Sequence, residues 1–178
     1  MRIISGILKG KKLFTPLNDN IRPTSDRTRE AIFNVLYSRD DIEVKECDVL
    51  DVFSGTGAFG LEAISRGAKG ACFVDIDLKL TKKNAKHCGF DNVFFIEKDV
   101  RKLPITKKAY DLVFMDAPYN KGLSEVALKG LLEKGYLAKH TLIIVETERN
   151  ENINLSNIFE MVDERIYGLA KVRFLKLK

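Results

Sequence analysis

Residues 48–60, DVLDVFSGTGAFG, run from an apolar stretch straight into a cluster of glycines. Val49, Leu50 and Val52 have the make-up of a buried strand. Gly55, Gly57 and Gly60 follow with the G-x-G-x-x-G spacing that turns a strand into a helix beneath a ligand. Asp51 stands four residues ahead of the first glycine. A loop of this kind suits a pyrophosphate, yet a carboxylate there repels one. The choice of ligand therefore rests on what the rest of the chain places beside it.

Outward from this stretch the same pattern repeats. CDVLDVF, ACFVDID, NVFFIEKD, YDLVFMDAP and TLIIVETE read as short buried strands. GAFGLEAISRGA, LKLTKKNAKHCG and LSEVALKGLLEKG read as helices, the first two closed by Gly67 and Gly89. Strands separated by helices imply crossover connections and a mainly parallel sheet covered on both faces. A further helix is expected near residues 155–160. MVDERIYGLAKVRFLKLK then leaves no room for a helix between its two apolar runs, so an antiparallel hairpin around Gly168 is expected at the sheet edge.

On the other side, residues 1–20 hold short apolar pairs broken by Gly6, Gly10 and Pro16, which suits a small hairpin or an extended arm. Ser25 or Asp26 can cap a helix whose apolar stripe is Ala31, Ile32, Val35 and Leu36. The expectation is one α/β domain over residues 1–178. It has a Rossmann-like core at 46–178, with a mainly parallel seven-stranded sheet, and a basic N-terminal extension at 1–40.

The chain has 178 residues, 45% hydrophobic and 31% charged, the make-up of an ordinary globular protein. No apolar run approaches the roughly 20 residues of a membrane span, and the first residues lack a signal-like apolar segment, so a cytoplasmic monomer is expected. Cys47, Cys72 and Cys88 form an odd set without a C-x-x-C, which supports neither a disulfide framework nor a metal site. The net charge of +5 is unevenly spread. Residues 1–30 hold seven Lys/Arg against three acids, and residues 165–178 hold five with no acid. A mildly acidic centre between two basic ends suggests a catalytic body whose termini touch a polyanion.

In an open α/β sheet the ligand lies outside the carboxyl ends of the strands. Those ends carry Asp51, then Asp75 and Asp77, then Asp99, then Asp116. Asp often caps a following helix, but the joint occurrence points to a cationic ligand. S-adenosylmethionine has no phosphate and carries an ammonium and a sulfonium. Asp51 suits the ammonium, directly or through water. Phe53, Gly55 and Gly57 let the backbone pass beneath the ligand. Asp75, followed by Ile76, is the natural acceptor for ribose hydroxyls, and Asp99 with the Val100 N–H suits the adenine.

Asp116-Ala117-Pro118-Tyr119 then suggests the chemistry. Methyl transfer needs an acceptor lone pair held in line at about 3 Å, which is mainly a positioning problem. The exocyclic amine of a base is a poor nucleophile, and two acceptors that grip its N–H bonds encourage it to pyramidalise. Asp116 and the Ala117 carbonyl can do this. Pro118 stiffens the turn, and Tyr119 offers a face for the base.

LDVFSGTGAFGLEAISRGA, FVDID, EKD and DLVFMDAPY together resemble the class I S-adenosylmethionine-dependent methyltransferases that act on exocyclic amines, whose signature is [N/D]-P-P-[Y/F]. MRIISGILKGKKL with RPTSDRTREAIFNVL resembles the opening of the bacterial 16S rRNA guanine-N2 methyltransferases of the small-subunit family D type. The resemblance covers nearly the whole chain. It implies transfer to guanine N2 in 16S rRNA, within the small ribosomal subunit or an assembly intermediate. The tetrapeptide alone leaves an adenine N6 target open, and Ala117 departs from its first proline. A non-catalytic RNA-binding relative is the remaining alternative. Lys9, Lys11, Lys12, Arg22, Arg27 and Arg29 are the expected phosphate contacts.

Overall fold

The computed structural model describes residues 1–16, 25–118 and 121–178. Its seven strands are β1 (Asp48–Val52), β2 (Gly70–Asp75), β3 (Val93–Glu97), β4 (Leu112–Asp116), β5 (Leu142–Glu148), β6 (Phe159–Tyr167) and β7 (Ala170–Leu177). The helices are α1 (Asp26–Tyr37), α2 (Ala58–Ser65), α3 (Lys79–Cys88) and α4 (Leu123–Glu133), with a short 3₁₀ turn at Val100–Lys102.

The strands lie in the order β3-β2-β1-β4-β5-β7-β6. β1 to β5 pair in parallel, whereas β7 runs antiparallel to both β5 and β6. The chain moves outward from β1 to β3, then returns to place β4 on the other side of β1. That reversal opens a crevice above β1 and β4.

Strand alternation divides the core into two layers. Leu112, Phe114, Leu142 and Ile144 join Val49 on the face covered by α1, α2 and α3. Val113, Met115, Ile143 and Val145 join Leu50 and Val52 on the face covered by α4 and the 3₁₀ turn. On the first face, the ring of Phe59 stacks on Phe114 at 4.0 Å and on Phe33 at 4.9 Å.

One expectation needs correcting. Residues 155–158 form no helix, and β6 begins at Phe159. Asn152, Asn154, Ser156 and Asn157 compete for backbone hydrogen bonds, and Ile153 and Leu155 pack on the core as an irregular extended segment. The N-terminal arm is the small hairpin of the two forms expected, and it packs on the body. A single antiparallel bridge, Arg2 to Lys12, closes it, and Ile3 and Leu13 are buried in the core. Its Gly6 sits at φ +83°, where a Cβ would fall 1.8 Å from the Ser65 carbonyl oxygen, so the arm meets α2 backbone to backbone.

Candidate active site

The site forms where β1 and β2 give way to their loops. Phe53 leaves β1 at φ 60°, an unusual conformation for an aromatic residue that marks this turn as constrained. Gly57 precedes α2 at φ +75°, and a Cβ there would come within 2.7 Å of Thr81 Cγ2. Only a glycine lets the loop lie against α3 this closely. The N-cap residue of α2, Gly57, has no side chain to cap the helix, so the N–H groups of its first turn look to other parts of the chain or to a ligand.

Asp51 is almost fully buried and accepts a hydrogen bond from the Gly60 N–H at 3.0 Å. Burial pushes its carboxyl well above the usual carboxylate range. The Gly60 hydrogen bond opposes that rise, and the negative charges of Asp75 and Asp116 add to it. These three strand-end carboxylates therefore share one electrostatic neighbourhood, crowded with like charge.

Asp75 is held by main-chain donors on both oxygens. Oδ2 accepts from Gly55 N–H at 2.9 Å, and Oδ1 from Ile76 N–H at 2.7 Å. Ile76 beside it is 73% exposed, an apolar side chain at the mouth of the crevice. Asp116 ends β4 in register with Glu146 of β5, which is buried. Ala117 is buried, and Pro118 is exposed. Tyr119 lies outside the described residues.

Asp99 differs from its expected role as an uncommitted acceptor. It caps the 3₁₀ turn through the Arg101 N–H and is gripped by both Nε and Nη2 of the same arginine. That pairing holds its carboxyl well below the ordinary range. Val100 has its side chain in the core, so only its backbone can reach a ligand.

The expected phosphate contacts separate into groups. Lys9, Lys12 and Arg27 are exposed, and Lys11 is half-buried. Arg22 lies outside the described residues. Arg29 is a correction: it is fully buried and contacts no solvent. It donates to the Arg2 carbonyl at 2.6 Å and to Asp26 at 2.9 Å, and its Nε lies 3.8 Å from Glu62. The acid that draws it inward sits on α2, remote in sequence.

Several residues that the sequence reading passed over hold the loop in place. Thr81 Oγ1 donates to the Gly55 carbonyl at 2.8 Å. Asn84 is fully buried and accepts from the Phe14 N–H at 2.8 Å. Its amide donates to Phe14 O at 3.0 Å and to Thr56 O at 2.9 Å, so one side chain ties the arm to the glycine loop. Glu62 accepts from Ile4 N–H at 2.7 Å, Ser5 N–H at 2.9 Å and Arg66 Nε at 2.7 Å. The detectable signal was a polar residue inside an otherwise inward-facing stripe, here Thr81, Asn84, Ala85 and Cys88. Cys47, Cys72 and Cys88 are buried free thiols, and burial pushes Cys47 up to about 12. Among the described residues, no group of three or more His, Cys, Asp or Glu is arranged to hold a metal ion, and no helix is long and apolar enough to cross a membrane.

The family model for conserved hypothetical protein 95 matches residues 1–176. The chain is 34% identical to the ribosomal RNA small subunit methyltransferase D of Haemophilus influenzae, across 97% of this chain and 92% of that one. It is 36% identical to the protein of that name from Escherichia coli K12, across 83% of this chain and 75% of the other. The solved structure of yhhF, a putative methyltransferase from Escherichia coli, superposes with a TM-score of 0.82 at 30% identity, covering 100% of this chain and 98% of that one. The loop suits the cofactor of such enzymes: a helix start backed by a buried acid, a glycine only a bare backbone can fill, and acids in place of phosphate-binding groups. The chain belongs to the conserved hypothetical protein 95 family, that of the ribosomal RNA small subunit methyltransferase D proteins, and is an S-adenosylmethionine-dependent methyltransferase.

Proposed function

We propose that this protein methylates the exocyclic N2 amine of a guanine in 16S rRNA, acting as a cytoplasmic monomer on the small ribosomal subunit or its assembly intermediate. The observation that carries the reading is that Asp51, Asp75 and Asp116 stand at the ends of three adjacent parallel strands, the first two hydrogen-bonded to the glycine loop. S-adenosylmethionine supplies an electrophilic methyl group at that place. Asp75, its oxygens oriented by the Gly55, Ile76 and Asp77 N–H groups, has a lone pair left on Oδ2 for a ribose hydroxyl. Exposed Ile76 offers an apolar surface to the adenine, and Asp99 keeps a lone pair on the oxygen it shares with Arg101. Asp51 supports the helix start from below, and the cationic end of the ligand favours its ionised form against the burial that opposes it. Phe53, Gly55 and Gly57 shape the floor, and the Val100 N–H lines the adenine side.

Asp116 and the Ala117 carbonyl accept from the two N–H bonds of the target amine, which directs its lone pair at the methyl group. The new N–C bond forms as the methyl–sulfur bond breaks, and the amine proton passes to Asp116 or to water. Pro118 fixes the turn, and Tyr119 stacks on the extruded base. Replacing the first proline of the signature by Ala117 keeps the carbonyl on which this depends. Lys9, Lys11, Lys12, Arg22 and Arg27 contact phosphates, and Arg29 is withdrawn from that set.

The test is to map methylated guanines in 16S rRNA from cells with and without the gene. One N2-methylguanine disappears on deletion and returns with the wild-type gene, but not with Asp116→Ala. An unchanged guanine pattern rules the reading out.

A further inference from the structure

One side of α3 takes no part in the site described so far. The helix carries four lysines and no acid. Its buried stripe turns Lys79, Lys83 and Lys86 outward, since i, i+4 and i+7 share a face. Lys79 lies 3.6 Å from Asp77, and Lys82, on the flank, lies 2.5 Å from Glu97. Lys83 and Lys86 make no ion pair among the described residues. Lys83 Nζ instead sits 3.8 Å from the centroid of the Phe14 ring, whose other neighbour is the His87 ring at 5.0 Å and 57°. The Phe14 ring is 39% exposed, although its own N–H and carbonyl are both clamped by buried Asn84.

A partly exposed ring on an immobilised backbone, bordered by ammonium groups that pair with no acid among the described residues, has the chemistry of a single-strand platform. The exposed part of the ring offers contact to any base once the flexible Lys83 side chain turns to a phosphate, and Lys86 offers charge to the next. We infer that Phe14, His87, Lys83 and Lys86 form a surface that binds an unpaired segment of the substrate RNA, behind the glycine loop. The inference rests on the RNA reading above and names where that RNA runs beyond the target base.

The full-length protein, Lys83→Gln/Lys86→Gln and Phe14→Leu are titrated with an unmodified 16S rRNA transcript over a salt series. S-adenosylhomocysteine binding is followed by calorimetry as a check on folding. Loss of two phosphate contacts flattens the plot of log affinity against log salt by about 1.4, from about 0.7 per contact on single strands. Phe14→Leu weakens binding by about fivefold or more and leaves the slope unchanged, because only stacking is lost. All three proteins bind S-adenosylhomocysteine equally. Wild-type affinity and slope in both variants overturn the inference. So does a defect confined to protein-containing particles with the naked transcript bound normally, which would make this a protein-docking face. If the variants behave as expected yet the wild type methylates no RNA, the surface stands and the proposed activity fails.

Discussion

The two faces of the sheet are filled by different means. Around α4 and the 3₁₀ turn the layer is apolar, with Val100, Leu103, Leu128, Leu131 and Tyr136 against Val113 and Met115, and its buried Arg173–Thr147 pair lies away from them on β7 and β5. Around α1, α2 and α3 the apolar layer is crossed by buried polar residues, Arg29, Glu62, Thr81 and Asn84. Apolar burial is non-directional and fixes how tightly parts hold together. Hydrogen bonds are directional and fix where parts sit. The stitches among Arg29, Glu62, Thr81 and Asn84 hold the glycine loop and the arm, where position matters for chemistry. Four substitutions break or sharpen that contrast.

The largest effect is expected from Glu62→Ala. It strips acceptors from Ile4 and Ser5 and leaves Arg29 buried beside a cavity, a loss of about 3–5 kcal/mol. Urea unfolding measures the loss, and trypsin should cut the released arm at Lys9, Lys11 or Lys12 under conditions where the wild type resists. On the opposite face, Leu131→Ala should cost about 2–5 kcal/mol through its cavity. Calorimetry should find its affinity for S-adenosylhomocysteine unchanged, and a matching loss of affinity would erase the contrast between the faces.

Asn84→Ala should cost less stability, about 1–3 kcal/mol for the polar groups it leaves unpaired. It should nevertheless weaken S-adenosylhomocysteine binding, because Thr56 loses its tether. The smallest change in stability is expected from Asp51→Asn, which keeps an acceptor for Gly60. The raised carboxyl of Asp51 means that the folded state holds a proton the unfolded chain has already released. Its contribution to stability is therefore fully present below the ordinary carboxylate range, near about 3.9, and is lost as pH rises through the raised value. Melting curves should diverge in that direction, with the variant the more stable at neutral pH and the weaker in cofactor binding.

Much of this architecture is legible in the chain because its apolar residues keep clean periods. The alternation of strands and helices, the breaks at Gly67 and Gly89 and the hairpin around Gly168 all follow from local chemistry. Residues 155–160 were misleading because a few apolar letters can serve an extended segment as well as a helix. Arg29 was misleading for a different reason. An arginine in the first turn of a helix faces solvent by default, and only a buried acid on another helix draws it inward. Asp99 could have been read more closely, since its partner Arg101 is two residues away. At the site, strand-end acids are visible as letters. Their mutual proximity is a product of strand order, which no local pattern contains.

The central claim is that the acids at the carboxyl ends of β1, β2 and β4 serve methyl transfer to a guanine amine. The direct measurement incubates the protein with methyl-labelled S-adenosylmethionine and undermethylated small subunits, and then identifies the labelled nucleoside. The account predicts label in N2-methylguanosine, abolished by Asp116→Ala while calorimetry still detects S-adenosylhomocysteine binding. Label in N6-methyladenosine, or incorporation unaltered by Asp116→Ala, would contradict it.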